Sequence, residues 1–292
     1  LRAFQEADAG DFFGRKALVD RLLKRLSETD VNARFLAVIG PSGSGKSSAV
    51  KAGLIPILRH GGVQNSQDWF IAQMTPGAQP FTELEAALLR VAVNAPPTLL
   101  EELRTSDIGL VEVVNRLLPV KDDDLLLVID QFEEIFTLTS DESERVRFLN
   151  SLLAAVTNAE SRLRVVITLR ADFYDRPLLY PEFGDLLRKR TEIVLPLTSV
   201  EIEQAITGPA ERIGLRFEPG LVAGIVGDVS QQPGGLPLLQ FALTELFERR
   251  DGFTLTQSAY TESGGVLGAL ARRADEVYEQ LDTSGQESVR QL

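Results

Sequence analysis

The chain has no cysteine and a single histidine, His60. Disulfides and thiolate metal sites are therefore excluded, and neither a histidine-based zinc cluster nor a serine–histidine–aspartate triad can be assembled. Long hydrophobic runs are also missing: the longest, FLAVIG at 35–40 and LLLVI at 125–129, fall far short of the roughly 20 residues that a membrane-spanning helix needs. The sequence carries no block of five or more like charges, no internal repeat and no low-complexity tract. Basic residues are the minority, 30 Lys and Arg against 42 Asp and Glu, for a formal charge of −12. That balance opposes sequence-independent attraction to a polyphosphate backbone, so nucleic acid is an unlikely partner. A cytoplasmic location without a membrane partner is the expectation. The opening stretch, LRAFQEADAGDFFGR, has no initiator Met and no basic-then-apolar leader pattern, and the one methionine is Met74. Residue 1 reads as a cut inside a longer polypeptide.

What the chain does contain is an ordinary globular mixture, 44% hydrophobic and 25% charged over 292 residues, enough for one large domain and a smaller appendage. Short, almost wholly apolar runs recur at 35–40, 69–74, 125–130, 164–170 and 191–197, the pattern of strands buried on both faces. Helical patterns lie between them at 46–59, 80–93, 108–118 and 141–158, the last opening with Thr139 and Glu142 in capping-box spacing. Strand and helix alternate five times, which predicts a parallel sheet with helices on both faces. After Pro196 only helical stretches follow as far as residue 250, beginning at a second capping box, Thr198 with Glu201. The expected organisation is an N-terminal segment and helix over 1–30, an α/β core over 31–197, an all-helical lid over 198–260, and the start of a further domain over 261–292. Leu267, Leu270, Ala274, Val277 and Leu281 give that last piece an amphipathic face.

GPSGSGKSS at 40–48 satisfies the phosphate-loop pattern G-x-x-x-x-G-K-[ST] and sits between a strand run and a helical run. Glycines suit this loop because amide N–H groups must converge on phosphate oxygens, a geometry most side chains obstruct. Gly40, Pro41, Ser42, Gly43, Ser44, Gly45, Lys46, Ser47 and Ser48 are the nucleotide-binding candidates. Lys46 is placed to reach the β- and γ-phosphates, and the Ser47 hydroxyl to bind Mg²⁺. LLLVID ends in Asp130, where such folds keep a Mg²⁺-coordinating carboxylate. Many relatives follow this Asp with a glutamate that polarises the attacking water. Here that position is Gln131, and Glu133 and Glu134 both remain candidates for the base, with a solvated helix start as the plain alternative for either. Thr168 and Arg170 end the run that should pair with the phosphate-loop strand, where a polar tip can sense the γ-phosphate. Arg170 could equally form a surface ion pair with Asp172. His60 reads as a loop or cap residue and Trp69 as core. Phe12 and Phe13 read as core anchors before base-stacking residues. Arg188, Lys189 and Arg190 read as a basic helix end before an arginine finger for a neighbouring copy.

The order DFFGR (11–15), GPSGSGKSS, DQFEE (130–134), TLRADF (168–173) and GLPLL (235–239) resembles the novel STAND NTPase domain of bacterial signal-transduction ATPases, related to apoptotic and NLR-type ATPases. The resemblance implies an α/β P-loop NTPase of the ASCE type, then a helical lid and the start of a winged-helix domain. It implies Thr168 and Arg170 as the γ-phosphate sensor motif, Pro237 of the lid against the adenine, and Gly14 with Arg15 lining the base. It implies ATP/ADP and Mg²⁺ as cofactors, slow hydrolysis, self-association in the ATP-bound form, and sensor and effector domains in the same chain, commonly WD-repeat propellers. The function so implied is a nucleotide-controlled switch in bacterial signalling or defence. An ATPase acting on DNA, of the origin-binding or helicase-loading type, and a nucleotide-locked module without turnover are the alternatives.

Overall fold

The computed structural model describes residues 2–30, 32–92, 96–119, 123–230, 232 and 234–268, with 271, 278, 281, 282, 285, 286 and 289. It divides into two compact units. One comprises Phe4–Ala9 and Lys16–Leu195; the other gathers Gly10–Arg15 with the chain from Pro196 onward. The N-terminal segment is thus shared between the two units.

The first unit is built on five strands: β1 (Phe35–Gly40), β2 (Phe70–Met74), β3 (Leu125–Ile129), β4 (Leu163–Arg170) and β5 (Thr191–Ile193). Their order is β2-β3-β4-β1-β5, and every pairing is parallel. The sequence rule for doubly covered sheets holds for β1 and β3, each residue of which is buried, and for β4 apart from its part-exposed Arg164 and Arg170. Phe35, Ala37 and Ile39 face one layer of helices, Pro80–Leu89, Leu99–Thr105, Gly109–Leu117 and Glu142–Thr157 among them. Leu36 and Val38 are equally buried on the opposite face, where the helix Lys16–Leu26 packs against β1 with Leu18, Val19, Leu22 and Leu26. Trp69 is core as expected, with the Arg164 guanidinium 4.5 Å from its ring centroid. The edge strands differ from the expectation. β5 stops at Ile193 and is only partly buried, because it has a single neighbour and Pro196, lacking an N–H, cannot extend the ladder.

Two further local expectations are corrected. The helix Glu142–Thr157 starts at Asp141, whose carboxylate accepts from the Ser143 backbone N–H at 2.8 Å, so Thr139 is not its cap. The Thr139 hydroxyl donates instead to Gly77 O at 3.3 Å. The helices Leu99–Thr105 and Glu134–Thr137 had no sequence signal, being two turns or fewer.

In the second unit, Ser199–Arg212 begins at the anticipated capping box of Thr198 and Glu201, and Leu221–Ser230 and Gly235–Glu248 follow. These helices enclose a small core of Ile202, Ile206, Leu221, Ile225, Leu239 and Leu246. The unit is not all helical: β6 (Arg216–Phe217) pairs in parallel with β7 (Thr254–Leu255). Two residues are too short a run for a period-two pattern to register. Gly14, at φ +80°, lies where a Cβ would come 2.2 Å from Glu201 O, and a Cβ on Gly208 would strike the Phe13 ring at 2.5 Å. Phe13 is therefore a packing residue. The amphipathic run through Leu270, Ala274 and Val277 lies outside the described residues.

Candidate functional site

β1 ends at Gly40, and its complete burial gives the loop that follows a rigid base. Gly43 and Gly45 hold φ values of 71° and 86°. Other residues adopt such values at a cost of roughly 1–2 kcal/mol, and the conformation lets successive amides converge on an anion. Gly40 is required for space, because a Cβ there would lie 2.9 Å from Ser44 Oγ and 3.0 Å from Val194 Cβ. Pro41, Ser42 and Gly43 are exposed, while Ser44 and Gly45 are half-buried. Gly45 precedes the helical stretch 46–59, whose first amides and dipole favour negative charge. Lys46 is buried, and its Nζ donates to Gly40 O and Pro41 O at 2.8 Å each. Burial lowers its pKa, with the nearby Glu133 carboxylate opposing that shift.

Asp130 follows β3 directly and is the hub of the site. Its Oδ1 accepts from Ser47 Oγ and from Thr168 Oγ1, both at 2.6 Å, and its Oδ2 pairs with Lys51 Nζ at 2.6 Å. Burial pushes this carboxyl up, but the bonds from Lys51, Ser47 and Thr168 outweigh it and hold the pKa below the ordinary carboxylate value. Strand register explains the meeting: β4 lies between β3 and β1, with Thr168 opposite Val38 and Arg170 opposite Gly40.

Thr168 does more than touch Asp130. Its Oγ1 accepts from Gln131 N at 3.0 Å and its carbonyl accepts from Phe132 N at 2.9 Å. Gln131 sits at φ 55°, one of two non-glycine residues with positive φ among those described. Phe132, wholly buried and stacked on Phe183 at 5.7 Å, pins the turn from the other side. The tight turn aims the two glutamates apart. Glu133 is buried, accepts from Arg170 N at 3.2 Å and lies close enough to Lys46 to act on its charge. Burial raises its pKa against those partners. Glu134 instead accepts from Gly77 N at 3.0 Å, on the loop after β2.

Not every candidate converges. The Arg170 guanidinium is exposed and bound to Asp172, with Nε at 3.1 Å from Oδ1 and Nη2 at 2.6 Å from Oδ2, the surface pair weighed from sequence. Ser48 Oγ accepts from Phe4 N at 3.1 Å, away from the Ser47 and Asp130 pair. Gly14, Arg15 and Pro237 belong to the other unit, where Arg15 is buried and Pro237 is part-exposed in the first turn of Gly235–Glu248. Arg190 is neither a solvated helix end nor an exposed finger: it is buried and donates to Phe35 O at 3.0 Å and Arg25 O at 2.6 Å, and it pairs with Glu28. Phe35 opens β1, so Arg190 lies at the end of the sheet opposite the loop. His60 is a turn residue, its Nδ1 2.7 Å from Pro56 O.

Lys51 is the residue that sequence reading missed. It lies four positions after Ser47, a spacing that puts two side chains on one helix face, so the signal was present. It is carried by a π-helical segment, Ala49–Leu54, a widening often found at functional sites. Among the described residues no cluster of three or more His, Cys, Asp or Glu could hold a metal, and no helix is long and apolar enough to cross a membrane.

A family model described as Novel STAND NTPase 1 matches residues 1–292. No curated protein matches the chain. Solved structures show the same fold. The ORC1 protein of Aeropyrum pernix, in complex with DNA, aligns with a TM-score of 0.59 at 20% identity, over 93% of this chain and 69% of that one. The Walker-type ATPase of Pyrococcus abyssi aligns at 0.57 and 13% identity, over 100% and 79%. Domain III of the Thermotoga maritima replication initiation protein DnaA aligns at 0.52 and 13% identity, over 94% and 98%.

Proposed function

The chain belongs to the novel STAND NTPase 1 family, and on that premise we propose that this P-loop NTPase is an ATP-driven molecular switch. The observation that carries the reading is the convergence at Asp130: Ser47 of the phosphate loop and Thr168 of β4 meet on one buried carboxylate.

The loop from Gly40 to Gly45 supplies the amides for a phosphate chain, and Lys46, on leaving its carbonyl partners Gly40 O and Pro41 O, would neutralise the terminal phosphates. Ser47 Oγ and the Asp130 carboxylate are a hard oxygen pair, which suits Mg²⁺, an ion that keeps several waters and takes phosphate oxygens for the remainder. When bound, that ion offsets charge on the transferring phosphoryl group. Glu133 is the candidate base: burial raises its pKa above that of a surface glutamate, which makes its ionised carboxylate the stronger proton acceptor. Glu134 secures the Gly77 loop. Thr168 positions Asp130 and the turn after it, and Arg170 reaches the γ-phosphate only by exchanging its partner Asp172. The family resemblance would assign Pro237, with Gly14 and Arg15, to the adenine.

ATP in place of ADP would shift the chain toward a self-associating form. Inverting a two-state population from 1:99 to 99:1 takes about 5.5 kcal/mol of differential binding, so γ-phosphate contacts supply part and an activating signal the rest. Sensor and effector domains of a longer bacterial polypeptide would set that signal and its output.

Lys46→Ala tests the reading. Nucleotide affinity measured by calorimetry should fall by at least about a hundredfold, as loss of a buried ammonium on phosphate implies; unchanged affinity would overturn the assignment. A second reading, an ATPase acting on DNA, is favoured by one observation, the likeness to an ORC1 protein solved with DNA. Hydrolysis stimulated by duplex DNA and steeply lost with salt would support it; the charge of −12 stands against it.

A further inference from the structure

Asp130 has one negative charge, and one ammonium group already matches it. Lys51 Nζ stands 2.6 Å from Oδ2, with its side chain 17% exposed and that of Asp130 7% exposed. Lys46 does not share this task, since its Nζ is turned to the carbonyls of Gly40 and Pro41. The two lysines, five residues apart, therefore divide the work. Lys46 belongs to the phosphate loop and Lys51 to the carboxylate that the metal would use.

We infer that Lys51 is a built-in counter-ion that competes with the divalent cation for Asp130. This rests on the nucleotide reading of the phosphate loop above. A dication arriving between Ser47 and Asp130 meets a carboxylate that is already neutralised, and it is repelled at short range by the ammonium it must displace. The protein alone is then a poor metal site, and the phosphate oxygens of the nucleotide supply the additional ligands that tip the exchange. Metal occupancy then depends on nucleotide being present. The π-helical segment sets the device in place, because it carries Lys51 in the turn after Ser47, beside the carboxylate that Ser47 also binds. When displaced, Lys51 has a route outward, its side chain being partly open to solvent while Asp130 is closed in.

The test titrates Mn²⁺ into the ADP-loaded full chain and follows free Mn²⁺ by electron paramagnetic resonance. Calorimetry measures ADP affinity in EDTA alongside it. In Lys51→Met and in Lys51→Gln, half-saturating Mn²⁺ should fall by about tenfold, the scale of one charge-assisted hydrogen bond. ADP affinity in EDTA should fall as well, because Asp130 then faces the phosphates unneutralised. Lys51→Arg, which keeps the charge, should stay within about twofold of the parent on the same scale. Lys51→Gln retains a donor for Asp130, so a folded comparison exists even if the methionine variant melts. Equal Mn²⁺ half-saturation in parent, methionine and glutamine proteins that all bind ADP would overturn the counter-ion role and leave the phosphate-loop reading intact. A parent chain that binds no ADP would overturn the phosphate-loop reading itself, and the inference with it.

Discussion

Thr168→Val separates a residue that reads the nucleotide from one that builds the site. Valine matches threonine in shape, so the change removes one hydroxyl from a position only 1% exposed. That hydroxyl makes two bonds, donating to the Asp130 carboxylate at 2.6 Å and accepting from Gln131 N at 3.0 Å. The first is charge-assisted, worth about 1.5–3 kcal/mol, and the second about 1 kcal/mol, with a half-buried amide left unpaired. A loss of about 3 kcal/mol is expected, which lowers the melting temperature of a unit of this size by about 6–12 °C. Scanning calorimetry of nucleotide-free protein makes the measurement, and Thr168→Ser, which keeps the hydroxyl, should recover most of the loss. The acid limb should move too. Asp130 has a depressed pKa, so its contribution is present above the ordinary value of 3.8 and is lost as pH falls through the folded value. Without Thr168 that value rises and acid unfolding begins at higher pH. A valine variant that melts within a degree of the parent without nucleotide, yet loses discrimination between ATP and ADP, would refute the positioning role and restore a sensor.

The two glutamates should part company. Glu133→Gln should slow single-turnover hydrolysis by about 10²–10⁴-fold while ATP stays bound, and Glu134→Gln should leave the rate within a few-fold and lower stability through Gly77. Equal rates in both would remove Glu133 as the base. Because Glu133 is raised above its ordinary 4.5, hydrolysis in the parent should fall as pH drops through that raised value. The same sign makes the ionised Glu133 a cost to folding at neutral pH, so Glu133→Gln should melt no lower than the parent at pH 7. Arg190→Met should cost about 3–5 kcal/mol, the penalty for stranding buried partners, and leave nucleotide affinity unchanged at low temperature. Parent-like stability with lost hydrolysis in mixed oligomers would restore the finger role.

The core was legible because its signals are strong and local. FLAVIG and LLLVI are buried on both faces, as unbroken apolar runs require, and the phosphate loop has Gly43 and Gly45 where φ is positive and Gly40 where a Cβ would clash. The edge strands were legible in place but not in extent, since a strand with one neighbour can shed residues without breaking the pattern that marked it. β6 and β7 were invisible for a related reason: a two-residue bridge is decided by what lies 38 positions away in register, not by its own residues. At the site, residue type singled out Asp130 and Ser47, which lie 2.6 Å apart. It could not tell Glu133 from Glu134, because what sets their different surroundings is the backbone of Gln131 at φ 55° and the burial of Phe132. Of the two readings open for Arg170, the structure holds the surface pair with Asp172, while the basic cluster at 188–190 contains a buried anchor, Arg190, that residue type does not announce.

The order β2-β3-β4-β1-β5 has a consequence during synthesis. β1 leaves the ribosome well before both of its partners, since β4 at 163–170 and β5 at 191–193 are translated more than a hundred residues later. Until then the six-residue run FLAVIG is an apolar segment with unsatisfied edges, the kind that sticks to other chains. Aggregation of fragments truncated before residue 163, and its relief once residue 193 is included, is therefore written into the strand order.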